Sequence, residues 1–473
     1  MFDKITYVFI VGIKGVAMSG IARILSEMKI LVAGSDTDES QITDTMFEGS
    51  DVQVFRSFDP TLLPSVADLV IFSAAHGGDS NPQVQEAKRR GIPTMNQAEF
   101  LSNLQKEFRT NIAICGCHGK TTTSSITAYL MNKMNLQMSY LVGAPSFADM
   151  SGAHYGGKDY FVIEADEYGV NPPVDKTPKF LSLSPDYILA TNIDYDHPDV
   201  YDSLDATKAV FKRFFKKLEG GTKRIIVCSD DVNLMDVMKE FSPDQYKTYG
   251  MGEDAYMQIT NIKAEDGHTK FELTCDGQYL GEFETTLSGN KNVLNITGAI
   301  TLLLELGFSI VQIQKVLPDF TGAKRRLELV GTVGEMILLD DYGHHPEEIR
   351  ATIQAVKSRY PEHRVLVIFQ PHTFSRTAMF KDEFVNALSL ADLAFITPIF
   401  ASARESGGTI TQGELVELAE RKGHMNIKPF DGFADLASVL QARDVVVMMG
   451  AGDIYKLKNG IIGLMERLLG AAK

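Results

Sequence analysis

The sequence predicts an α/β protein of three domains. Strand-like apolar runs alternate with helical patterns along almost the whole chain, which is typical of doubly wound α/β folds. The chain has 473 residues, too many for a single core. Its composition, 44% hydrophobic and 23% charged, is typical of globular proteins. We expect domain boundaries near residues 108 and 322, giving domains 1–108, 109–322 and 323–473.

The first domain is predicted from four short apolar runs, ITYVFIVG, ILVAGSD, DLVIFSA and IPTMN. A helix is expected from about Met18 to Met28, and the polar stretch QKEFRT ends the domain. Gly12 and Gly15 follow the first strand. A G-x-x-G turn at a helix start is a weak indication of nucleotide binding, because the backbone amides there suit a diphosphate.

The second domain opens with NIAICG and continues through the predicted strands DYFVIEAD, YILATNID and RIIVCSD. Between Tyr246 and Leu287 the pattern changes to short alternating runs such as KFELTCDG, which we interpret as an antiparallel insert. A helix from Val293 to Leu306 then returns to the main body of the domain.

The third domain is predicted from MILLDDYGHH, RVLVIFQPH, LAFITPIF and DVVVMMGAGD. These runs are typical of parallel strands separated by helices. Each carries polar residues at its carboxyl end, which is where ligands gather in open α/β sheets.

Composition excludes several classes of protein. Lys and Arg number 46 and Asp and Glu number 61, a net charge of -15 that argues against nonspecific nucleic-acid binding. The apolar run from Tyr7 to Ile13 is too short to span a membrane. Four scattered cysteines are too few for a disulfide framework, so we expect a reducing, cytoplasmic compartment.

The stretch IAICGCHGKTTTS runs a short apolar strand into a Gly-Lys-Thr turn. Glycines let backbone N–H groups approach phosphate oxygens, and the helix that follows adds partial positive charge. Lys120 is expected to reach the outer phosphates of a nucleotide, and the Thr121 hydroxyl to ligate Mg²⁺. Ile114 stands where the general P-loop pattern has glycine.

A zinc site is the alternative interpretation of the same stretch. Cys115, Cys117 and His118 could supply three ligands, but no second cluster lies at zinc-ribbon spacing. We expect Cys115 to pack as a small apolar residue and Cys117 to be an ordinary turn residue.

Two further candidates end later strands of the same domain. Glu164 follows FVI, and His197 lies in ATNIDYDHPD. In a parallel sheet both would lie at the same edge as Lys120, where a carboxylate and an imidazole beside a nucleotide suggest a Mg²⁺ site. Most of the neighbouring acids are expected to be solvated loop residues: Asp166, Glu167, Asp194 and Asp196.

These motifs resemble those of the Mur ligase family over nearly the full length of the chain. GCHGKTTT is similar to the family's ATP loop, and EADE and NIDYDH to its magnesium segments. GNKNVLN is similar to the adenine-binding segment and GAKRRLE to the segment whose arginine approaches the γ-phosphate. DDYGHHPEEI, FQPHTFSRT and GAGDI complete the match. The sequence departs from the family pattern at Lys14, Ala17, Lys291 and Thr373.

The resemblance implies a set of site residues. The implied catalytic residues are Lys120, Glu164, His197 and Arg326, and the implied Mg²⁺ ligands are Thr121, Glu164 and His197. ATP binding is implied for Gly116, Cys117, His118, Gly119, Lys120, Thr121, Thr122, Asn292, Asn295, Arg326 and Asp341. UDP-sugar binding is implied for Gly12, Gly15, Ser35, Asp36, Ser73 and His118, and amino-acid binding for His344, His345, His372 and Arg376.

The resemblance also implies a fold and an activity. The expected domains are an N-terminal Rossmann-like UDP-sugar domain, a central P-loop-type ATPase domain with a mixed sheet, and a C-terminal Rossmann-like domain. The expected reaction is ATP-dependent ligation of L-alanine to the carboxylate of UDP-N-acetylmuramate through an acyl phosphate, with Mg²⁺. Ligation of a tripeptide to the same acid is the closest alternative. A nicotinamide-dependent oxidoreductase and a nonenzymatic nucleotide switch are alternatives of other classes.

Overall fold

The computed structural model describes residues 4–218, 224–265, 267–401 and 407–471. The chain divides into two compact units. The first comprises Met1–Asn261, Phe271–Glu284 and Leu294–Ala323, and the second comprises Ile262–Lys270, Thr285–Val293 and Lys324–Lys473. The α/β class is confirmed, whereas the domain boundaries at 108 and 322 stay predictions. Within the described ranges, no helix combines the length and apolar character needed to cross a bilayer.

The first unit begins with a parallel sheet. Its elements are β1 (Tyr7–Val11), α1 (Val16–Glu27), β2 (Leu31–Ser35), β3 (Gln53–Phe55), β4 (Leu69–Phe72), α2 (Pro82–Arg89), β5 (Thr94–Asn96) and α3 (Gln97–Leu104). The strand order is β3-β2-β1-β4-β5, and every neighbouring pair is parallel. Because the order reverses beside β1, the carboxyl ends of β1, β2 and β4 surround a switch point, where ligands bind in such sheets.

A second sheet and its helices follow. Their bounds are β6 (Thr110–Cys115), α4 (Lys120–Lys133), β7 (Met138–Phe147), β8 (Met150–Tyr155), β9 (Tyr160–Glu164), β10 (Gly169–Asn171), β11 (Asp175–Pro178), β12 (Tyr187–Ala190), α5 (Leu204–Phe215), β13 (Arg224–Cys228), α6 (Val232–Met238), β14 (Tyr246–Gly250), β15 (Met257–Glu265), β16 (His268–Cys275), β17 (Gln278–Thr285), α7 (Asn290–Glu305) and α8 (Ile310–Val316). Ten strands form the order β17-β16-β15-β14-β13-β12-β6-β9-β7-β8, while β10 and β11 form a separate antiparallel hairpin.

The antiparallel interpretation of residues 246–287 is wrong at its first strands. β14 pairs in parallel with β13, and β15 pairs in parallel with β14. Alternating polarity indicates that one face of a strand is covered. It does not indicate whether the strand runs parallel or antiparallel to its neighbours. The antiparallel β7–β8 pair at the other edge was not predicted from the sequence.

The last sheet lies in the second unit. Its elements are β18 (Glu328–Val333), β19 (Met336–Asp341), α9 (Pro346–Arg359), β20 (Arg364–Phe369), α10 (Phe374–Met379), α11 (Lys381–Leu388), β21 (Leu393–Ile396), α12 (Gln412–Arg421), β22 (Ile427–Pro429), α13 (Phe433–Ala437), β23 (Asp444–Met449) and α14 (Lys458–Ala471). The order is β18-β19-β23-β20-β21-β22, parallel except for β18 against β19. The four predicted parallel strands are therefore confirmed.

Both faces of this sheet are covered, which explains its continuous apolar runs. Along β20, Val365, Val367 and Phe369 belong to one core cluster, and Leu366 and Ile368 belong to another. Successive side chains of a strand point to opposite faces, so both faces of β20 need apolar residues.

Candidate active site

The turn between β6 and α4 requires glycine at two positions. Gly116 and Gly119 have φ angles of 137° and 79°, in the left-handed region. A Cβ atom at Gly116 would lie 2.0 Å from Thr191 Oγ1, and one at Gly119 would lie 2.7 Å from Asn295 Oδ1. The turn therefore packs tightly against the residues after β12 and against α7, and it leads into the N-terminus of α4.

Residues after β12 hold this turn in place. The His118 amide donates to Asn192 Oδ1 at 2.8 Å, and the Cys117 amide donates to the Asn192 carbonyl at 3.2 Å. The Thr191 hydroxyl donates to the His118 carbonyl at 2.6 Å. These contacts fix the backbone of the turn. They do not involve the backbone N–H groups at the start of α4, which are the groups suited to bind an anion.

Lys120 lies among acceptors at the start of α4. Its ammonium group donates to the Gly116 carbonyl at 2.6 Å and the Cys117 carbonyl at 3.1 Å, and lies 2.7 Å from Glu167 Oε2. Burial by itself would lower the pKa of Lys120, but the Glu167 carboxylate raises it above its ordinary value. Lys120 is therefore a fixed positive charge in the turn.

Glu167 corrects one expectation from the sequence. It was grouped with the solvated loop acids, yet its side chain is 1% exposed. Besides Lys120 it contacts His197, whose Nε2 atom lies 3.3 Å from Glu167 Oε1. Asp196, another member of that group, is also buried. The sequence gives no signal for this burial, because the segment looks polar throughout.

Thr121 and Glu164 lie together, as the strand-end argument predicts. The Thr121 hydroxyl donates to Glu164 Oε1 at 3.0 Å, and Ser124 Oγ and the Gly143 amide donate to Glu164 Oε2 at 3.1 and 2.8 Å. A hydroxyl and a carboxylate at one position are oxygen ligands of the kind that Mg²⁺ prefers, so this pair fits the implied metal.

His197, the third implied metal ligand, contacts different groups. Its Nε2 atom lies 3.3 Å from Glu167 Oε1 and 3.6 Å from Asp196 Oδ2, and its φ angle is 59°. A positive φ is uncommon for a non-glycine residue and is often found at functional sites. The structure therefore places His197 beside the partner of Lys120, and its role as a metal ligand stays a prediction.

The two cysteines of the turn are buried thiols. Cys115 is fully buried, and burial raises its pKa. The Cys117 thiol donates to the Asp194 carbonyl and accepts from the Asp194 amide, each at 3.2 Å, and burial raises its pKa as well. Among the described residues, neither cysteine belongs to a group of three side chains whose ligand atoms lie close enough to share a metal ion, which argues against a zinc site that uses these thiols. Cys117 is also more than an ordinary turn residue, because it ties the turn to the segment after β12.

Five of the six predicted UDP-sugar residues lie around the switch point of the first sheet, whereas His118 lies in the turn between β6 and α4. Gly12 has a φ angle of 78°, and a Cβ atom there would lie 2.4 Å from Ser73 Oγ. The Gly12 amide donates to the Ser35 carbonyl at 2.8 Å. Asp36 is buried and accepts from the Lys14 amide at 2.8 Å. Gly15 is the N-cap residue of α1, at the same edge of the sheet.

Lys14 and His76 were not among the predicted site residues. The Lys14 ammonium group donates to the Thr37 and Glu39 carbonyls at 3.0 and 2.6 Å. His76 Nε2 lies 3.4 Å from Asp36 Oδ1. A histidine followed by two glycines, four residues after the end of β4, is the sequence signal that could have identified His76.

The two predicted adenine-binding residues both lie on α7. Asn295 is 9% exposed and contacts the turn at Gly119, as described above. The Asn292 side chain donates to the Ser288 carbonyl at 2.8 Å. Thr122, also predicted to bind ATP, lies in the first turn of α4 and is 8% exposed.

In the second unit, Arg326 lies beside Tyr342 and Asp341. Its guanidinium carbon is 4.9 Å from the centre of the Tyr342 ring. Burial raises the pKa of Asp341, and the nearby Arg326 partly offsets this. Asp341 accepts from the amides of Leu327 and Gly343, each at 2.8 Å. It therefore anchors the backbone around Arg326, while its implied role in ATP binding stays a prediction.

The predicted amino-acid-binding residues follow β19 and β20, which lie on either side of β23 in the sheet of the second unit. The rings of His344 and His372 lie 6.1 Å apart. His345 is the buried N-cap residue of α9, and its Nδ1 atom accepts from the Glu347 amide at 3.4 Å. Arg376 lies in α10 and is 5% exposed, so it is a buried guanidinium group.

Family models match three segments of the chain. A model described as "Mur ligase family, catalytic domain" matches residues 8–109, one described as "Mur ligase middle domain" matches residues 114–303, and one described as "Mur ligase, glutamate ligase domain" matches residues 325–452. Together they include the turn at Lys120 and the segment around Arg326.

Two full-length relatives carry the same name. A protein of Salinibacter ruber named UDP-N-acetylmuramate–L-alanine ligase is 35% identical over 99% of this chain and 97% of its own length. A protein of Levilactobacillus brevis with the same name is 34% identical over 98% of this chain and 99% of its own length.

Solved structures agree in fold. The chain is similar to a UDP-N-acetylmuramate-alanine ligase of Thermotoga maritima, with a TM-score of 0.77 and 22% identity over 98% of this chain and 99% of that one. It is also similar to a murein peptide ligase of Psychrobacter arcticus, with a TM-score of 0.72 and 22% identity over 98% and 99%. At this identity the two likenesses concern the fold alone.

Proposed function

Because the chain belongs to the Mur ligase family, we propose that it uses ATP to join L-alanine to the carboxylate of UDP-N-acetylmuramate. The observation that carries this choice is the name shared by relatives that are 34–35% identical over nearly the whole chain. The turn between β6 and α4, which we call the phosphate-loop turn, supports the proposed use of ATP. Lys120, Thr121 and Glu164 lie together there, where a nucleotide would bind.

The proposed reaction has two steps. An oxygen of the sugar acid attacks the γ-phosphorus of ATP, the bond to ADP breaks, and an acyl phosphate forms. The amine of L-alanine then attacks the acyl carbon, phosphate leaves, and the amine loses a proton. Phosphoryl transfer depends mainly on positioning and on neutralising negative charge, so no serine or cysteine nucleophile is required.

The residues of the turn meet these requirements. Two anions, a carboxylate and a triphosphate, must approach each other, and the fixed positive charge of Lys120 lowers their repulsion. The backbone amides at the start of α4 offer further donors to phosphate oxygens. Thr121 and Glu164 would hold Mg²⁺, which supplies additional charge neutralisation when it is bound. We also propose that Arg326, in the second unit, approaches the γ-phosphate.

Further assignments belong to the same proposal. The turn at Gly12, with Ser35, Asp36 and Ser73, is proposed to bind the UDP-sugar. His344, His372 and Arg376 are proposed to bind the amino acid, where a guanidinium group matches a carboxylate in geometry. We propose a cytoplasmic location, where ATP and nucleotide sugars are available.

Phosphate release tests the proposal directly. The purified protein is given ATP, Mg²⁺ and UDP-N-acetylmuramate with L-alanine, glycine, L-serine or the tripeptide L-alanyl-γ-D-glutamyl-meso-diaminopimelate. We expect release that depends on both the sugar nucleotide and the amino acid, and that is fastest with L-alanine. Faster release with the tripeptide would replace the proposed acceptor, and no release with any of the four would refute the ligase activity.

A further inference from the structure

Arg325, the residue before Arg326, has a buried side chain with partners on two other segments of the second unit. It is 5% exposed, and its guanidinium group donates to the Gly450 carbonyl at 2.5 Å and the Gly452 carbonyl at 3.1 Å. Its Nε atom lies 3.5 Å from Asp340 Oδ2. A buried guanidinium group stays with its partners, because leaving a charge unpaired away from water is costly. Arg325 therefore ties the segment before β18 to the segment after β23.

The backbone on both sides of Arg326 has an uncommon conformation. Arg325 and Leu327 have φ angles of 60° and 51°, in the left-handed region that non-glycine residues rarely adopt. Such a conformation persists only where neighbouring groups hold it in place. Here the Arg325 amide donates to Glu328 Oε2 at 3.0 Å, and the Leu327 amide donates to Asp341 Oδ2 at 2.8 Å. The buried guanidinium group of Arg325 is a further anchor, so the direction of Arg326 depends on it.

Gln370 contacts the opposite side of the segment after β23. We call residues 450–453 the glycine turn. The Gln370 side chain donates to Asp453 Oδ1 at 2.9 Å and accepts from the Ile454 amide at 3.1 Å. A Cβ atom at Gly452 would lie 2.3 Å from Gln370 Oε1, so this close approach requires glycine. The glycine turn is therefore held on one side by a guanidinium group and on the other by a primary amide.

The strand order places the glycine turn between two groups of proposed site residues. The turn follows β23, which lies between β19 and β20 in the sheet. His344 follows β19 and His372 follows Gln370 after β20, and both histidines are proposed to bind the amino acid. Arg326, which is proposed to approach the γ-phosphate, is adjacent to Arg325. A rigid glycine turn therefore fixes Arg326 relative to the residues proposed for the amino acid.

We propose that Arg325 and Gln370 are positioning residues for ligation, an inference that rests on the proposed function. Through the glycine turn they keep Arg326 and the amino-acid residues in one arrangement, in which the amine reaches the acyl carbon before water does. When this arrangement loosens, water attacks the acyl carbon, phosphate leaves, and the sugar acid forms again after loss of a proton. ATP is then consumed without amide product.

The ratio of amide product to released phosphate tests this positioning role. Wild type, Arg325→Met, Arg325→Lys and Gln370→Met are given ATP, Mg²⁺, UDP-N-acetylmuramate and L-alanine. We expect equal amounts of amide and phosphate from the wild type, and a ratio about tenfold lower from the two methionine variants. Their KM for L-alanine should rise while their KM for ATP changes little, because the phosphate-loop turn is unaltered. Arg325→Lys keeps the charge and a donor, so its ratio should lie between those of wild type and Arg325→Met.

Arg364→Met is the matched control for a purely structural effect. Arg364 lies 2.8 Å from Asp444 and donates to the Val439 carbonyl at 2.8 Å. It thus makes the same kinds of contact as Arg325, but at the amino ends of β20 and β23 in the same sheet. We expect this variant to lower the unfolding temperature and to leave both the product ratio and the KM for L-alanine unchanged.

Two results would overturn the inference. One is that either methionine variant at Arg325 or Gln370 forms equal amounts of amide and phosphate, and the other is that Arg364→Met lowers the ratio to the same extent. Should Arg325→Met fail to fold, Gln370→Met and Arg325→Lys decide the question. Failure of the proposed function is a separate outcome, because it appears as a wild type that releases no phosphate in the ligation assay.

Discussion

Lys120 and Glu167 form a buried ion pair in the phosphate-loop turn. Both side chains are largely excluded from solvent, at 14% and 1% exposure. Removing one charge of a buried pair leaves the other uncompensated, which costs about 3–5 kcal/mol. The same carboxylate contacts His197, so one residue fixes two of the candidate catalytic side chains.

We therefore expect Glu167→Gln to lower both stability and ligation. The variant should reduce the midpoint of thermal unfolding and slow phosphate release at least tenfold, because Lys120 and His197 lose their common partner. Glu240→Gln is the matched control, since Glu240 pairs with Lys212 at the surface, where such pairs contribute about 0–1 kcal/mol. A Glu167→Gln protein that behaves like the control would contradict this role.

The pKa of Asp340 predicts how the stability of the fold depends on pH. Burial raises its pKa to about 6, although the nearby Arg325 guanidinium opposes the shift. The pKa of an aspartate in an unfolded chain is about 3.9, so folding favours the protonated form of Asp340. The stability that this group contributes is present below about pH 4 and is lost as the pH rises through 6.

Asp340→Asn should remove this pH dependence. In urea unfolding followed by circular dichroism, the wild type should lose stability relative to the variant between pH 4.5 and 7. Asp51→Asn, which removes one exposed negative charge, is the control and should not reproduce this change. A stability difference between wild type and Asp340→Asn that stays constant across this range would contradict the assignment.

How much of the site could be predicted differs from residue to residue. The proximity of Thr121 and Glu164 follows from the sequence, because β6 and β9 are adjacent parallel strands and their carboxyl ends meet at one edge. The burial of Glu167 could not be predicted, since it depends on segments distant in sequence that cover it. Cys117 was underestimated for the same reason, as its partner Asp194 lies beyond β12.

At the scale of elements, the packing of α1 depends on a glycine. Helix α1 contacts the β7–β8 pair within the first unit, and a Cβ atom at Gly20 would lie 2.3 Å from Leu141 Cδ1 and 3.1 Å from Ala153 Cβ. Leu141 and Ala153 are themselves buried, so they have little freedom to move. Close approach of helix and strands therefore requires the absence of a side chain at this position.

Gly20→Ala should destabilise the protein despite the better helix propensity of alanine. Propensity alone would gain about 1 kcal/mol, while overpacking a buried contact costs about 1–3 kcal/mol. Gly470→Ala in α14 is the control, because a Cβ atom there meets no neighbour within 4 Å. Chemical unfolding of both variants measures the difference, and an increase in stability for both would show that the α1 contact tolerates a methyl group.

Elements buried on both faces were the easiest to predict, and those at sheet edges were the hardest. Runs such as RVLVIF fill core clusters on two faces, so their strand character is evident. The β7–β8 pair and the direction of β14 depend on pairing between distant segments, which local polarity does not encode.

At the scale of the whole molecule, two ligands should stabilise the fold through different parts of the first unit. A ligand that binds the folded chain raises its unfolding free energy by about 2.7 kcal/mol at a hundredfold excess over Kd. The turn at Gly12, which is proposed to bind the UDP-sugar, belongs to the first sheet. The phosphate-loop turn, which contains Lys120, belongs to the second sheet. The two stabilising effects should therefore be separable by substitution.

Lys120→Ala should lose the increase in unfolding temperature caused by Mg²⁺ and a nonhydrolysable ATP analogue, and keep the increase caused by UDP-N-acetylmuramate. The first effect depends on the ammonium group that meets the phosphates, and the second on the turn at Gly12, which this substitution does not touch. Lys133→Ala is the control, because Lys133 lies at the other end of α4 in an ion pair with Asp149, so both increases should persist. Loss of both increases in Lys120→Ala would mean that the substitution disrupts the fold. Retention of the nucleotide effect would mean that phosphates bind elsewhere, which would remove the electrostatic basis of the proposed ligation.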